Sequence, residues 1–322
     1  MTAPIPVIAI SAGNDPDIIL RSLRQGASEF LFQPFAIEQV GVALDRLMRQ
    51  KLDNGVQSRE LGKVYCVMPA KGACGASTLA CNLAARLQKV NGTKRVLLAD
   101  LDPSTGTVSF LLKLKSSYSF VDVLSHASQM DEDLWKALVS PAQGMDVILC
   151  PENPVETIPL HEAQAMIEYS RENYGAVVLD VASPYGDWVE QIAKLCDELI
   201  LVTTNELPAL HATQNAIAHL ERNGIERSKI KLVVNRYDAN QGLDRNAIET
   251  ALNLDIFQVI PSDVDAVQKS LLEGKPVVAS SSLGKSYSSL SDKLAGGRKA
   301  EAKRNSILSG IFSVFDGVLH KS

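Results

Sequence analysis

The chain has 322 residues, which suits one large α/β domain together with a smaller unit. Its hydrophobic fraction of 46% and charged fraction of 21% are typical of a globular protein, and its net charge of −5 argues against wholesale nucleic-acid binding. No apolar run is long enough for a transmembrane helix, no signal peptide is recognisable, and five scattered cysteines indicate reduced thiols, so we expect a cytoplasmic protein.

The first 50 residues predict a small unit in which two short strands, 6–10 and 28–32, are each followed by an amphipathic helix. Gln33-Pro34-Phe35 reads as a turn compatible with a cis proline. Two strands and two helices bury too little surface for a complete core. We therefore expect either that the sequence is truncated at its start or that this unit packs on its neighbour.

This unit resembles the second half of a response-regulator receiver domain, in which a Gly-Ala step, here Gly26-Ala27, precedes a strand and a Lys-Pro-Phe turn. Gln33 replaces the lysine, and the strand that bears the phospho-acceptor aspartate is missing. The resemblance therefore implies a partial receiver-like domain over residues 1–50 that serves docking or dimerisation and is not phosphorylated.

Residues 51–62 are polar, contain two glycines and lack an apolar period, which predicts a linker. Residues 63–295 then alternate apolar strand-like runs with amphipathic segments. The runs are 64–68, 95–99, 146–150, 176–180, 198–203, 230–234 and 257–260. Such runs predict an α/β fold with a mostly parallel sheet covered by helices on both faces, and ligands of such sheets bind at the carboxyl ends of the strands.

The first of these strands leads through a loop of small residues into a helical pattern, which is the context of a phosphate-binding loop. Glycines let backbone N–H groups surround an anion, and the following helix directs its positive end to the same place. The candidate loop residues are Lys71, Gly72, Ala73, Cys74, Gly75, Ala76, Ser77 and Thr78. Ala76 stands where a P-loop has lysine, and we interpret Cys74 as a small filler.

Polar residues follow three other strands of the predicted sheet. Asp100 and Asp102 follow the second strand and Asp180 closes the fourth, and carboxylates there suit Mg²⁺ and an attacking water. Asn235 follows the sixth strand, where its amide suits an adenine edge. A single such residue is more often a cap or turn former, but several converging on one sheet edge favour a site.

These motifs together resemble the deviant-Walker ATPases of the MinD/ParA class. Their Lys-Gly-Gly-x-Gly-Lys-[Thr/Ser]-Thr loop is matched by residues 71–78, and their Asp-x-Asp-Pro element by residues 100–103. Their Asn-Arg pair is matched by Asn235-Arg236, and their Ile-Pro-x-Asp…Gly-Lys-Pro block by residues 260–276, which contain Pro261. The resemblance covers residues 62 to about 295.

The resemblance implies ATP and Mg²⁺ as cofactors and a homodimer as the acting form. Lys71 would be the signature lysine that reaches the partner subunit's nucleotide, and Asp102 would position the attacking water; these two are the candidate catalytic residues. Ser77 would ligate Mg²⁺ and Thr78 would contact the α-phosphate. The remaining loop residues, Gly72 to Ala76, would surround the phosphates.

In the same resemblance Asp100 and Asp180 belong to the metal shell, Asn235 reads adenine, and Arg236 and Pro261 contact the nucleotide. Ala76 is the departure, because it removes a cation from the γ-phosphate and so weakens charge stabilisation in the transition state. We therefore expect ATP binding with slow or absent hydrolysis, so that assignment as an enzyme stays open.

A narrower similarity lies at residues 120–124, 130–134 and the strand that ends at Pro151, which resemble the CpaE/TadZ family. Those proteins carry a receiver-like domain before a MinD-like domain and position the assembly machinery of tight-adherence (Flp) pili at the cell pole. The resemblance implies pilus-assembly and secretion proteins as partners. Two alternatives remain open: an active ParA/MinD-type ATPase in partitioning or in cell-pole or septum positioning, and a nucleotide-free scaffold.

Residues 296–305 are charged and predict a flexible connection. Residues 306–319 place their apolar side chains on one broad helical face. This pattern is typical of a C-terminal helix that docks on protein, and also of an interfacial helix at the inner membrane. Both readings remain open from the sequence.

Overall fold

The computed structural model describes residues 7–12, 18, 21–22, 25–35, 39–41, 43, 61–92 and 94–296. The chain divides into two units, with the boundary between Glu60 and Leu61. Most of the predicted linker (51–60) and the predicted C-terminal helix (306–319) lie outside the described residues.

The first unit contains two parallel strands, β1 (Ile8–Ser11) and β2 (Glu29–Phe32), which pair in register from Ile8 opposite Glu29. The peptide bond between Gln33 and Pro34 is cis, as the turn after β2 allows. Helical residues are described at 21–22 and 39–41. Both predicted strands are therefore present, each within two residues of its predicted bounds.

The second unit is built on one eight-stranded sheet of order β10-β9-β8-β3-β7-β4-β6-β5. All neighbouring strands are parallel except β5 and β6. The strands are β3 (Lys63–Pro69), β4 (Val96–Asp100), β5 (Ser140–Ala142), β6 (Met145–Ile148), β7 (Ala176–Asp180), β8 (Glu198–Thr203), β9 (Ile230–Tyr237) and β10 (Ile256–Pro261).

Helices follow most strands. They are α1 (Ala76–Val90), α2 (Val108–Leu112), α3 (Phe120–Ser125), α4 (Glu132–Leu138), α5 (Ala163–Asn173), α6 (Asp187–Leu195), α7 (Leu207–Arg222), α8 (Arg245–Leu252) and α9 (Val264–Glu273), and residues 282–296 are also helical. Asp131, Asp244 and Asp263 begin α4, α8 and α9 by accepting a hydrogen bond from a backbone N–H of the first turn. No helix in the described part of the chain has the length and apolar character needed to cross a membrane.

The core lies on both faces of the sheet because successive strand residues point in opposite directions. In β3, Val64, Cys66 and Met68 pack in one cluster with residues of α5, α6 and α7. Tyr65 and Val67 pack in the other cluster with α1 and residues of the helical segment 282–296. This arrangement confirms the predicted α/β fold with a mostly parallel, doubly covered sheet.

One strand was absent from the sequence prediction. β5 pairs antiparallel with β6 through a turn in which Gln143 and Gly144 have φ of 52° and 84°. Two successive positive φ values are typical of a tight hairpin turn. The three residues of β5 contain no apolar run, so periodicity gave no signal for this edge strand.

Candidate functional site

The loop between β3 and α1 has the backbone of an anion-binding loop. Ala73 and Gly75 have positive φ values of 64° and 88°, which turn successive N–H groups inward. Gly75 is the N-cap of α1, no side chain caps that helix, and its first turn contains no acidic residue. The positive end of α1 is therefore open to an anion, whereas α4, α8 and α9 are closed by aspartates.

Three predicted metal residues meet beside this loop. Asp100 ends β4 and Asp180 ends β7, and they are direct partners in the parallel register. The hydroxyl of Ser77, in the first turn of α1, donates a hydrogen bond to the Asp180 carboxylate. The other Asp180 oxygen, Oδ1, is buried without a hydrogen-bond partner. A buried oxygen of this kind suits a ligand that supplies positive charge.

Both carboxyls have perturbed acidities. Burial raises the pKa of Asp100 from 3.8 to about 6, although N–H groups of Val108 and Asp102 oppose the shift. Burial and the adjacent Asp100 raise the pKa of Asp180 well above its usual range, and the Ser77 hydrogen bond lowers it. A divalent cation would favour the ionised form of both groups.

The described residues contain no group of three or more His, Cys, Asp or Glu side chains that could hold a metal. The expected Mg²⁺ site has only two carboxylates and one hydroxyl. Mg²⁺ keeps several waters and is commonly completed by substrate phosphates, so the residues fit a metal that arrives with a nucleotide.

The two candidate catalytic residues, Asp102 and Lys71, have different surroundings. The Asp102 carboxylate accepts hydrogen bonds from the N–H groups of Ser104 and Thr105 at 2.9 and 3.1 Å, so in this state it stabilises the turn after β4. Lys71 is exposed at the start of the loop. Its ammonium forms no ion pair with any residue that the structure describes.

Predicted nucleotide-binding residues line a cavity of about 270 Å³ next to the loop. Gly75, Thr78, Asn235, Arg236 and Pro261 all border it. The Asn235 side chain donates from Nδ2 to the carbonyl of Cys74 at 2.8 Å, which fixes the strand end of β9 against the loop. The structure thus brings together five residues that the sequence placed in three separate segments.

Sequence reasoning missed seven other residues of this cavity. They are Ser262, Asp263, Val264, Val267, Gln268, Leu283 and Tyr287. Ser262 and Asp263 follow Pro261 directly, so the motif at the end of β10 could have indicated them. Leu283 and Tyr287 belong to the helical segment 282–296, where no motif marks them.

Cys74 is buried in the loop, and its thiol donates to the carbonyl of Val202 at 3.3 Å. Burial raises its pKa, which disfavours the reactive thiolate. Asn82 was not predicted. Its amide donates to the carbonyl of Thr78 and accepts from the N–H of Val277, both at 2.8 Å, and so ties α1 to the segment after α9.

A strand, an uncapped helix start and paired acidic residues at neighbouring strand ends define an α/β protein of the phosphate-binding-loop class. Residues 65–277 match the family model described as "CobQ/CobB/MinD/ParA nucleotide binding domain", and the chain belongs to this family.

The chain is similar to the septum site-determining protein MinD of Thermotoga maritima, with 25% identity over 73% of this chain and 89% of that protein. Its fold is similar to that of a ParA family ATPase from Chlorobium tepidum, with a TM-score of 0.66, 24% identity, and coverage of 71% of this chain and 98% of the other. It is also similar to MinD from Pyrococcus horikoshii complexed with Mg-ADP, with a TM-score of 0.61, 20% identity, and coverage of 73% and 96%. The last two likenesses show the fold.

Proposed function

We propose that this protein is an ATP-binding, dimerising localisation factor of the CpaE/TadZ type, which positions the assembly machinery of tight-adherence pili and hydrolyses ATP slowly or not at all. In this proposal residues 1–50 are a receiver-like docking domain, 51–62 a linker, 63–295 the nucleotide-binding domain, and 296–322 a connection with a C-terminal helix. The acting form is a homodimer at the cell pole or inner membrane.

Binding would use the groups that surround the loop. The backbone of residues 72–78 and the open start of α1 would hold the phosphates, and Ser77, Asp100 and Asp180 would hold Mg²⁺. Bound Mg²⁺ would supply charge neutralisation at the phosphates. Asn235, Arg236 and Pro261 would contact the base in the 270 Å³ cavity.

One observation carries the proposal. Asp100 and Asp180 are both present beside the loop, but the position where the family has its second lysine is occupied by Ala76, which is 6% exposed. Ala76 begins α1, directly before Ser77, which contacts Asp180. A side chain there supplies no charge to a transferred phosphoryl group. Loss of one such contact typically lowers rates by ~10²–10³.

Support for a pilus role is the order of a receiver-like segment before a MinD/ParA-type domain, together with the similarity at residues 120–134. The relatives named MinD are septum site-determining proteins, which favours a role in positioning. The fold by itself is shared by many activities. The pilus assignment therefore needs a cellular test.

The biochemical test is titration calorimetry of the full chain with ATP and Mg²⁺, together with light scattering with and without nucleotide. We expect binding, a change from monomer to dimer, and turnover well below that of lysine-containing relatives. Turnover equal to that of such relatives would instead assign an active ParA/MinD-type ATPase. Absence of binding would assign a nucleotide-free scaffold.

The cellular test is deletion of the gene, with surface pili and division-site placement measured in the same cells. We expect loss of pili with normal division sites. Misplaced septa with normal pili would contradict the pilus role and favour septum positioning. A fluorescent fusion would report whether the protein is at the pole.

A further inference from the structure

Arg86 is a buried cation in α1 without a carboxylate partner. Its side chain is 4% exposed, and one terminal nitrogen donates to the carbonyl of Val277. Its Nε is buried and has no hydrogen-bond partner. Four other arginines that the structure describes pair with carboxylates: Arg95, Arg171, Arg227 and Arg245.

A charge in this position is expensive to keep. Burial lowers the pKa of Arg86, but an arginine guanidinium remains protonated in proteins. A buried charge is normally neutralised by a partner, because removing it from water without one is strongly unfavourable. The missing negative charge is therefore a feature that needs an explanation.

Arg86 borders a cavity of about 500 Å³ between the C-terminal half of α1 and the segment that follows α9. Lys89 and Lys275 border the same cavity, and every other lining residue is uncharged. Lys89 and Lys275 are both exposed, and they come from different segments of the chain. Three positive charges thus face one space that contains no acidic side chain.

This cavity is separate from the predicted nucleotide cavity, because no residue borders both. Hydrogen bonds nevertheless connect one wall of this cavity, at Val277, to the start of α1. Val277 is fixed by its N–H bond to Asn82, which also bonds to the carbonyl of Thr78. One wall of the Arg86 cavity is therefore held by hydrogen bonds that do not involve Arg86.

Two simpler explanations account for part of this arrangement. Arg86 could serve only to bind the carbonyl of Val277, and cations near the end of α1 interact favourably with the helix dipole. Neither explains why a buried guanidinium borders a cavity whose lining contains no acidic side chain. Neither explains why Lys275, which is not on α1, faces the same space.

We propose that the Arg86 cavity binds a phosphate-type oxyanion. Arg86 donates to it from the terminal nitrogen that does not bond to Val277, and Lys89 and Lys275 add positive charge at the entrance. Guanidinium groups match phosphate oxygens in geometry and form strong charge-assisted bonds with them. A free phosphate compound and a lipid headgroup share this chemistry; the depth of Arg86 favours the free compound.

Titration calorimetry of the full chain with pyrophosphate, in EDTA, tests the proposal. Pyrophosphate also suits the loop at Gly75, so we expect two classes of site in the wild type. Arg86→Met should remove one class or weaken it about tenfold or more, as expected for loss of a charge-assisted contact. Lys194→Met, an exposed lysine on α6, is the matched control and should leave both classes unchanged.

The double variant Lys89→Met/Lys275→Met changes only exposed residues and keeps the proposal testable if Arg86→Met does not fold. We expect it to weaken the same class about tenfold. If either of these variants folds and binds pyrophosphate with the affinity and stoichiometry of the wild type, the proposal is wrong. It is also wrong if the wild type has only one class of pyrophosphate site and Gly75→Val abolishes it. Vesicles of phosphatidylglycerol distinguish a lipid headgroup from a soluble phosphate compound. If the vesicles displace pyrophosphate from the sites that Arg86→Met removes, the ligand is a headgroup; if they do not, it is a soluble anion.

Discussion

The side-chain amide of Asn235 occupies the space that a side chain on Gly75 would need. A Cβ at Gly75 would lie 2.5 Å from Nδ2 of Asn235, and Gly75 has φ of 88°. The same Nδ2 donates to the carbonyl of Cys74, so it cannot move away without breaking a buried hydrogen bond. The close approach of β9 to the loop therefore requires glycine.

We expect Gly75→Ala to lower the free energy of unfolding by about 1–3 kcal/mol, because the positive φ and the contact with Asn235 both add strain. It should also weaken Mg-ATP binding strongly. Gly72→Ala is the control for stability, because a Cβ there would meet nothing within 4 Å. Urea unfolding measures the difference; equal stability of the two variants would show that the close approach imposes no strain.

Ala76→Lys should restore the cation that related loops have at position 76. If slow hydrolysis results from its absence, the variant should hydrolyse ATP ~10²-fold faster or more than the wild type. Ala76→Met has a side chain of similar reach without charge and should leave turnover unchanged. Phosphate release under saturating Mg-ATP measures both. A slow Ala76→Lys variant that still binds ATP would mean that another feature of the site limits hydrolysis.

Asp100 should make stability depend on pH. Its pKa is about 6 in the fold against an ordinary 3.8, so between these values the folded state holds a proton that the unfolded chain has released. Stability from this group is present below pH 4 and is lost as the pH rises through 6. In EDTA, the free energy of unfolding should fall from pH 4 to 7 by about 2 kcal/mol more in the wild type than in Asp100→Asn. If the free energies of urea unfolding of the wild type and of Asp100→Asn change equally with pH, the expected raised pKa of Asp100 is contradicted.

Asn82→Ala should leave the buried N–H of Val277 without an acceptor. An unpaired buried donor typically costs about 1–3 kcal/mol, which we expect as the loss in free energy of unfolding. Asn215→Ala is the matched control on α7, because Asn215 is exposed and its side chain bonds to His211. It should change stability by less than about 0.5 kcal/mol. A similar small effect of Asn82→Ala would mean that water or a backbone shift satisfies Val277.

The predicted strands and the loop were accessible from sequence because their signals are local. β7 and β8 have the predicted bounds, since each is a continuous apolar run with a charged or polar end. Asp100 and Asp180 were identified because carboxylates follow such runs. The roles of the site residues stay predictions, and Lys71 in particular forms no ion pair with a described residue that would indicate what it reaches.

The sequence by itself determined the strands other than β5, the place of the small-residue loop, and which acidic and amide side chains end the strands, because side-chain periodicity and small-residue loops depend on neighbours along the chain. Only the tertiary structure decided that β7 lies between β3 and β4, which puts Asp180 opposite Asp100 and beside Ser77. It alone placed Tyr287 at the cavity beside the loop and Lys275 with Arg86. Pairing of distant segments follows from how two whole apolar faces pack together, and no local pattern encodes it.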